Sequence, residues 1–234
     1  MPSPYRLHYA PDNASLIVRL ALEELGLSYE TVLVDRAAGA QHAADYLKLN
    51  PNGLIPTLET PEGPIFETGA ILLWLADIHG ALAPAPDGPE RAGFLKWLFF
   101  TSNTLHTAMR MLFYADKYIG PDTALQQALR RQTQANLKTH LAKLDNLAGQ
   151  APPFFNSIPV SALDLYIPCL MRWMALYPKG DTDWFDITRT PHLHALAARI
   201  EQRDSVKRAI STEGLGLTPF TAPQHANPPE GSAT

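Results

Sequence analysis

Glu67-Thr68 stands where an extended segment gives way to a helical pattern. The first turn of a helix leaves N–H groups unpaired and carries a partial positive charge. A threonine there caps the helix, and its hydroxyl and amide can equally hold a carboxylate. Ser15 occupies a second such junction, after Asn13 and Ala14. Its hydroxyl reads either as a cap or as a donor to a ligand. His106 lies inside the aromatic-rich run FTSNTLHTAMRMLFY. It reads as a structural histidine of a helical bundle, or as a hydrogen-bonding group in an apolar pocket. The single cysteine, Cys169, excludes an intrachain disulfide framework, a CxxC redox pair and a cysteine-rich zinc site. Within IPCLMRWM it reads as an inert buried residue.

The elements that position these residues follow from periodicity and from proline. Residues 5–9 (YRLHY) alternate as a first strand. From Ser15 the apolar positions share helix faces, and Gly26 can end that helix. Residues 29–34 (YETVLV) suit a second strand. A short helix is expected near 43–49, then the turn Asn50-Pro51-Asn52-Gly53. Residues 54–58 and 64–66 flank Pro61-Glu62-Gly63 as a hairpin. Thr68 opens a helix to about His79. The run 81–89 (ALAPAPDGP) admits no helix and marks a linker. Beyond it only helical patterns occur: one long helix over 90–118, a second over 122–147 with a buried leucine stripe from Leu125 to Leu144, and a third behind the capping-box spacing Ser161-x-x-Asp164. Pro168 is expected to kink that third helix. Thr190-Pro191 opens a fourth, ending near Arg203. The tail from Thr221 is expected to fray, with Glu230 carrying no signal.

The chain has 234 residues, 46% hydrophobic and 18% charged, enough apolar surface to exclude disorder throughout. A net charge of -4 argues against binding driven by a nucleic-acid backbone. The longest apolar run, 70–76, is far short of the roughly 20 residues of a membrane span. The start, MPSPYRL, lacks the regions of a secretory signal, so a cytoplasmic location is expected.

Three segments resemble the cytosolic glutathione transferases, bacterial types of the beta/theta-like classes above all. They are NPNGLIPTLETPEGPIFETGAILLWLAD (50–77), HYAPDNASLIVRLALEELGLSYE (8–30) and SALDLY (161–166). The resemblance covers about residues 5–210. It implies an α+β two-domain fold: a thioredoxin-like βαβαββα glutathione-binding domain over 1–80 and, after the 81–89 linker, an all-helical bundle over 90–220 with the acceptor-substrate pocket. Residues 221–234 form the flexible tail.

The same resemblance assigns roles. Ile55-Pro56 resembles the family's cis-proline step, whose backbone pairs with the tripeptide glutathione. Thr68 would hold the γ-glutamyl carboxylate and Glu67 the ammonium. The glycyl carboxylate falls to His42 or Arg36. For the thiol, Ser15 is the first candidate, then Asn13 and Tyr9. The family's cysteine position is Ala14 here, so a mixed disulfide at that position is excluded. His106 would donate to the sulfur or line the acceptor pocket, with Met109, Phe113 and Tyr114 as its walls. Glutathione is then the co-substrate, with no metal. The expected partners are glutathione and a small electrophile, with no nucleic acid and no membrane, in a homodimer. Peroxide reduction or isomerisation on the same site, and a non-catalytic binding module, are the alternative functions.

Overall fold

A computed structural model describes residues 4–233; the first three residues and the end of the tail, on which the secretion and tail readings partly rest, lie outside the described residues. The strands β1 (Tyr5–Tyr9), β2 (Tyr29–Leu33), β3 (Thr57–Thr60) and β4 (Gly63–Phe66) form one mixed sheet in the order β2-β1-β3-β4. β1 runs parallel to β2, with Leu7 opposite Thr31, and antiparallel to β3, with Leu7 opposite Leu58. A parallel pair needs a crossover, which α1 (Ser15–Glu24) supplies. The β3–β4 hairpin is closed by Thr60, whose hydroxyl donates to Gly63 O at 2.8 Å. With α2 (Ala44–Leu49) and α3 (Thr68–His79), the order is β-α-β-α-β-β-α.

The remaining elements are helical: α4 (Arg91–Phe99), a π-helical turn (Phe100–His106), α5 (Thr107–Phe113), α6 (Ala115–Ile119), α7 (Thr123–Gln150), α8 (Ala162–Leu176), α9 (Pro191–Glu201) and α10 (Asp204–Glu213). α1 packs on β1, α3, α8 and α10, and all its residues from Ser15 to Leu22 are buried. That enclosure includes Arg19, whose Nε donates to the buried Glu213 Oε1 at 2.6 Å. α8 is buried almost throughout and runs on through Pro168 to Leu176. Its first turn is secured by Asp164, which accepts from Ser161 N at 2.8 Å and Asn156 N at 2.7 Å.

Four expectations need correction. The single helix over 90–118 is three helices and a π turn. Two hydroxyls reach for the main chain there: Ser102 Oγ donates to Phe99 O at 3.4 Å and the Thr107 hydroxyl to Ser102 O at 3.3 Å. The leucine stripe of α7 is buried only at Leu137, Leu141 and Leu144, whereas Leu125 is 48% exposed. α9 begins with Pro191 at its first position, but the Thr190 hydroxyl turns back to Ile187 O. The orphan N–H groups of His192 and Leu193 are taken by Asp145 of α7, at 2.8 and 2.9 Å. The tail does not fray: Thr221 bonds to Glu201, Asn227 N donates to Gly214 O, and Glu230 accepts from the Tyr9 hydroxyl.

Candidate functional site

A cavity of about 390 Å³ opens between the N-terminal ends of α1 and α3, the loop before β3, the π turn with α5, and α8. Asn13, His42, Ile55, Pro56, Glu67, Thr68, His106, Met109, Phe113 and Tyr114 all line it, and so does Arg36. Ser15 and Tyr9 do not line it. The Ser15 side chain is fully buried and donates to Ala10 O at 3.0 Å, inside the turn that launches α1. The Tyr9 hydroxyl is taken by Glu230, and the Arg19 guanidinium lies 4.8 Å from its ring centre. Both hydroxyls are therefore turned to structural partners.

The loop before β3 is held at Leu54. Its carbonyl accepts from the Tyr46 hydroxyl at 2.6 Å and from Asn50 Nδ2 at 2.8 Å. The Ile55–Pro56 bond that follows is cis. Gly53 has φ +60°, and a Cβ there would stand 2.8 Å from His42 Nδ1. Only glycine leaves His42 its place at the cavity wall. Beside it, Gln41 Oε1 is buried with no partner among the described residues.

Glu67 precedes α3 at φ +71°, a conformation uncommon for a residue with a side chain. Such outliers cluster at ligand clamps, and this one lies on the cavity wall. Thr68 is the first residue of α3, and Gly69 follows it. A Cβ at Gly69 would come within 3.1 Å of Ser102 Cβ, so the glycine brings the start of α3 against the π turn.

The π turn carries His106, whose Nδ1 lies 2.8 Å from the Tyr166 hydroxyl. Tyr166 lies near Thr68 as well. If the phenol donates to Nδ1, the neutral imidazole keeps its own proton on Nε2. Burial, helped by the Arg110 charge, pushes the His106 pKa down to about 4, so the ring is neutral at pH 7. Burial raises the Tyr166 phenol well above its usual range. His106 and Tyr166 are thus a neutral pair on a cavity that the residues before α1 also line.

The loop before α1 is fixed by charges that the sequence reading missed. Asp12, at φ +50° and fully buried, accepts from Arg172 Nε at 2.8 Å, Arg172 Nη2 at 2.9 Å and Trp173 Nε1 at 2.7 Å. The remaining Arg172 donors reach Leu215 O, Pro219 O and Gln224 O. All five guanidinium N–H groups are therefore used. Asp12 N donates to Glu213 Oε2 at 2.9 Å. Tyr177 lies close to Asp12, and burial first, then that carboxylate's charge, pushes its phenol up to about 12. The only advance signal was an arginine inside the apolar run of α8.

The far end of the cavity is cationic. Arg36 Nη2 donates to the Tyr114 hydroxyl at 3.2 Å. Arg110 and Lys117 stand over the same ring, 5.6 and 4.7 Å from its centre. Among the described residues no group of three or more His, Cys, Asp or Glu is placed to hold a metal ion. No helix among them is long and apolar enough to cross a membrane.

Residues 3–77 match the glutathione S-transferase N-terminal domain. Glutathione S-transferase GstB of Escherichia coli K12 is 33% identical over 174 residues, covering 67% of this chain and 84% of that protein. The structure of a sphingomonad glutathione S-transferase complexed with glutathione is 31% identical, covers 90% of this chain and 100% of that one, and superposes with a TM-score of 0.74. A ternary complex of BphK, a bacterial transferase, is 30% identical with a TM-score of 0.75 over 90% of this chain and 100% of that one. A thioredoxin-like sheet domain followed by a helical bundle, with a cavity between them, is the architecture of the cytosolic glutathione transferases. The chain belongs to the glutathione S-transferase family.

Proposed function

We propose that the protein binds glutathione in this cavity, ionises its thiol and conjugates it to small electrophilic compounds. The observation that carries this reading is the convergence of Ile55 and Pro56, the Glu67–Thr68 helix start and His106 on one cavity. Thr68 N–H, at the positive end of α3, receives the γ-glutamyl carboxylate, and Glu67 receives the ammonium. The main chain at Ile55 pairs with the extended tripeptide. The glycyl carboxylate meets His42 or Arg36.

Lowering a thiol pKa from about 8.5 by two units takes about 2.7 kcal/mol of preference for the thiolate. One hydrogen bond to a charged group supplies about 1.5–3 kcal/mol. His106 Nε2–H and the Asn13 amide, both on residues that line the cavity, are the donors this reading gives the thiolate, and the field of the α1 N-terminus adds to them. On this reading Ser15 and Tyr9 keep their bonds to Ala10 O and Glu230 and take no part in holding the thiolate. Ala14 and the buried Cys169 leave no thiol for a mixed disulfide, which favours conjugation over thiol transfer. On the same reading the protein is a cytoplasmic homodimer of the bacterial beta/theta-like type, divided at residues 81–89.

Calorimetry with glutathione, followed by thiolate absorbance of the bound peptide against pH, tests the proposal. Binding with a thiol pKa well below 8.5 is expected. Absence of binding overturns the reading. Binding without turnover of aryl halide, hydroperoxide or maleyl keto acid turns it toward a non-catalytic module.

A further inference from the structure

Resting on the transferase reading, the acceptor end of the cavity carries a second message, written in charge. The chain as a whole is acidic, with a net charge of -4. This wall is the opposite. Arg36, Arg110 and Lys117 line it, and none of the three forms an ion pair among the described residues. Two acidic residues line the cavity. Asp12 is consumed by Arg172, and Glu67 sits before α3. The cations gather round one aromatic ring. Arg36 holds the Tyr114 hydroxyl, Arg110 and Lys117 lie over the ring, and Arg110 Nε also donates to the Tyr118 hydroxyl at 3.2 Å. Cation–π contact orients a cation without neutralising it, so the charge stays available to a ligand. Glutathione offers one carboxylate to this side, for which Arg36 or His42 suffices. Arg110 and Lys117 are left over.

We propose that the acceptor site selects electrophiles that carry an anionic group, a carboxylate above all, on an apolar aromatic body. Phe113 and Met109 take the ring, and Arg110 and Lys117 take the anion. Arginine suits a carboxylate by its paired N–H groups, and lysine as a point charge.

The test uses two aryl chlorides of one skeleton, 4-chloro-3,5-dinitrobenzoate and its methyl ester. In both, the thiolate sulfur bonds to the chlorine-bearing carbon. Chloride leaves with its bonding pair, and the thiol proton goes to water. Each kcat/KM is divided by the uncatalysed rate constant with glutathione. The carboxylate is expected to lead by about tenfold at low salt, and the lead to shrink as salt screens the partly exposed cations. Arg110→Gln and Lys117→Gln should each cut that ratio by about two- to fivefold, the range of partly exposed ion pairs. A ratio of one, or a ratio that neither substitution moves, overturns the proposal while ester turnover leaves the transferase reading standing. The glutathione conjugates of the two compounds provide a readout that needs no turnover. The carboxylate conjugate should bind about tenfold tighter by calorimetry. Equal binding of the two overturns the proposal alone, and failure of glutathione and both conjugates to bind overturns the transferase reading with it.

Discussion

His106 couples the site to stability as well as to chemistry. Its pKa is about 4 in the fold and 6.5 when unperturbed. Between those values the unfolded chain binds more protons than the native one. Stability therefore falls as pH drops from 6.5 toward 4, by about 3 kcal/mol over the whole window for this group. His106→Asn should remove that part of the acid dependence. Urea midpoints at pH 7 and pH 4.5 measure it; an acid slope equal to the wild type's would show that the ring is not held neutral. Ser15 behaves differently. Its hydroxyl bonds inside the turn at Ala10, so Ser15→Ala should cost about 1 kcal/mol of stability. The pH curve of the bound thiol should stay in place; a shift of one unit or more would return Ser15 to the mechanism. Thr68→Ala should weaken glutathione about tenfold, because it removes the hydroxyl that joins the α3 N–H in holding the carboxylate. Equal affinity by calorimetry would remove Thr68 from the clasp. The sequence marked both hydroxyls equally, since each stands before a helix. Which one faces the cavity depends on where the preceding turn aims the first helical residue, and no residue type encodes that.

Elements hold these side chains through a few tight approaches and buried ion pairs. Gly69 lets α3 meet the π turn, and the π turn sets His106 on Tyr166 of α8. Asp12 and Arg172 lock the loop before α1 to α8 and to the segment after α10. Breaking a buried pair from one side strands the other charge, at about 3–5 kcal/mol. Asp12→Ala should therefore destabilise the protein by that amount, read as a shift of the urea transition followed by tryptophan fluorescence. A change below about 1 kcal/mol would mean that water reaches Arg172. Periodicity and turn residues located β1, β2, the hairpin, α1 and α3 within a few residues. It merged α4 to α6 into one helix, since no proline between Glu90 and Tyr118 marks a break. It passed over α10, where VKRAISTE hides a buried Glu213 behind a polar surface.

At the scale of the whole molecule, the tail closes over the N-terminal half. Gln224 O completes the Arg172 shell and Glu230 takes the Tyr9 hydroxyl, so proline-rich composition did not mean a loose end. Proline and glycine lower the unfolded chain's tendency to form helix but leave carbonyls free to accept, which is what Arg172 uses. What the single chain leaves open is its outer face. Ile78, near the end of α3, is 54% exposed, and Phe99, at the end of α4, is 52% exposed. Single apolar side chains on a surface are ordinary. These two lie on helices of the two different parts of the chain, as a two-fold pairing of the sheet domain of one subunit with the helical domain of its partner requires. Burying a phenylalanine contributes about 1.5–3 kcal/mol, and a two-fold axis uses the contact twice. The expected species at micromolar concentration is a dimer of twice 25.8 kDa by sedimentation equilibrium. Phe99→Glu should shift the population toward monomer, with the helical circular dichroism kept. A wild-type mass near 25.8 kDa would refute the dimer, and a Phe99→Glu variant that stays dimeric would move the interface off the end of α4.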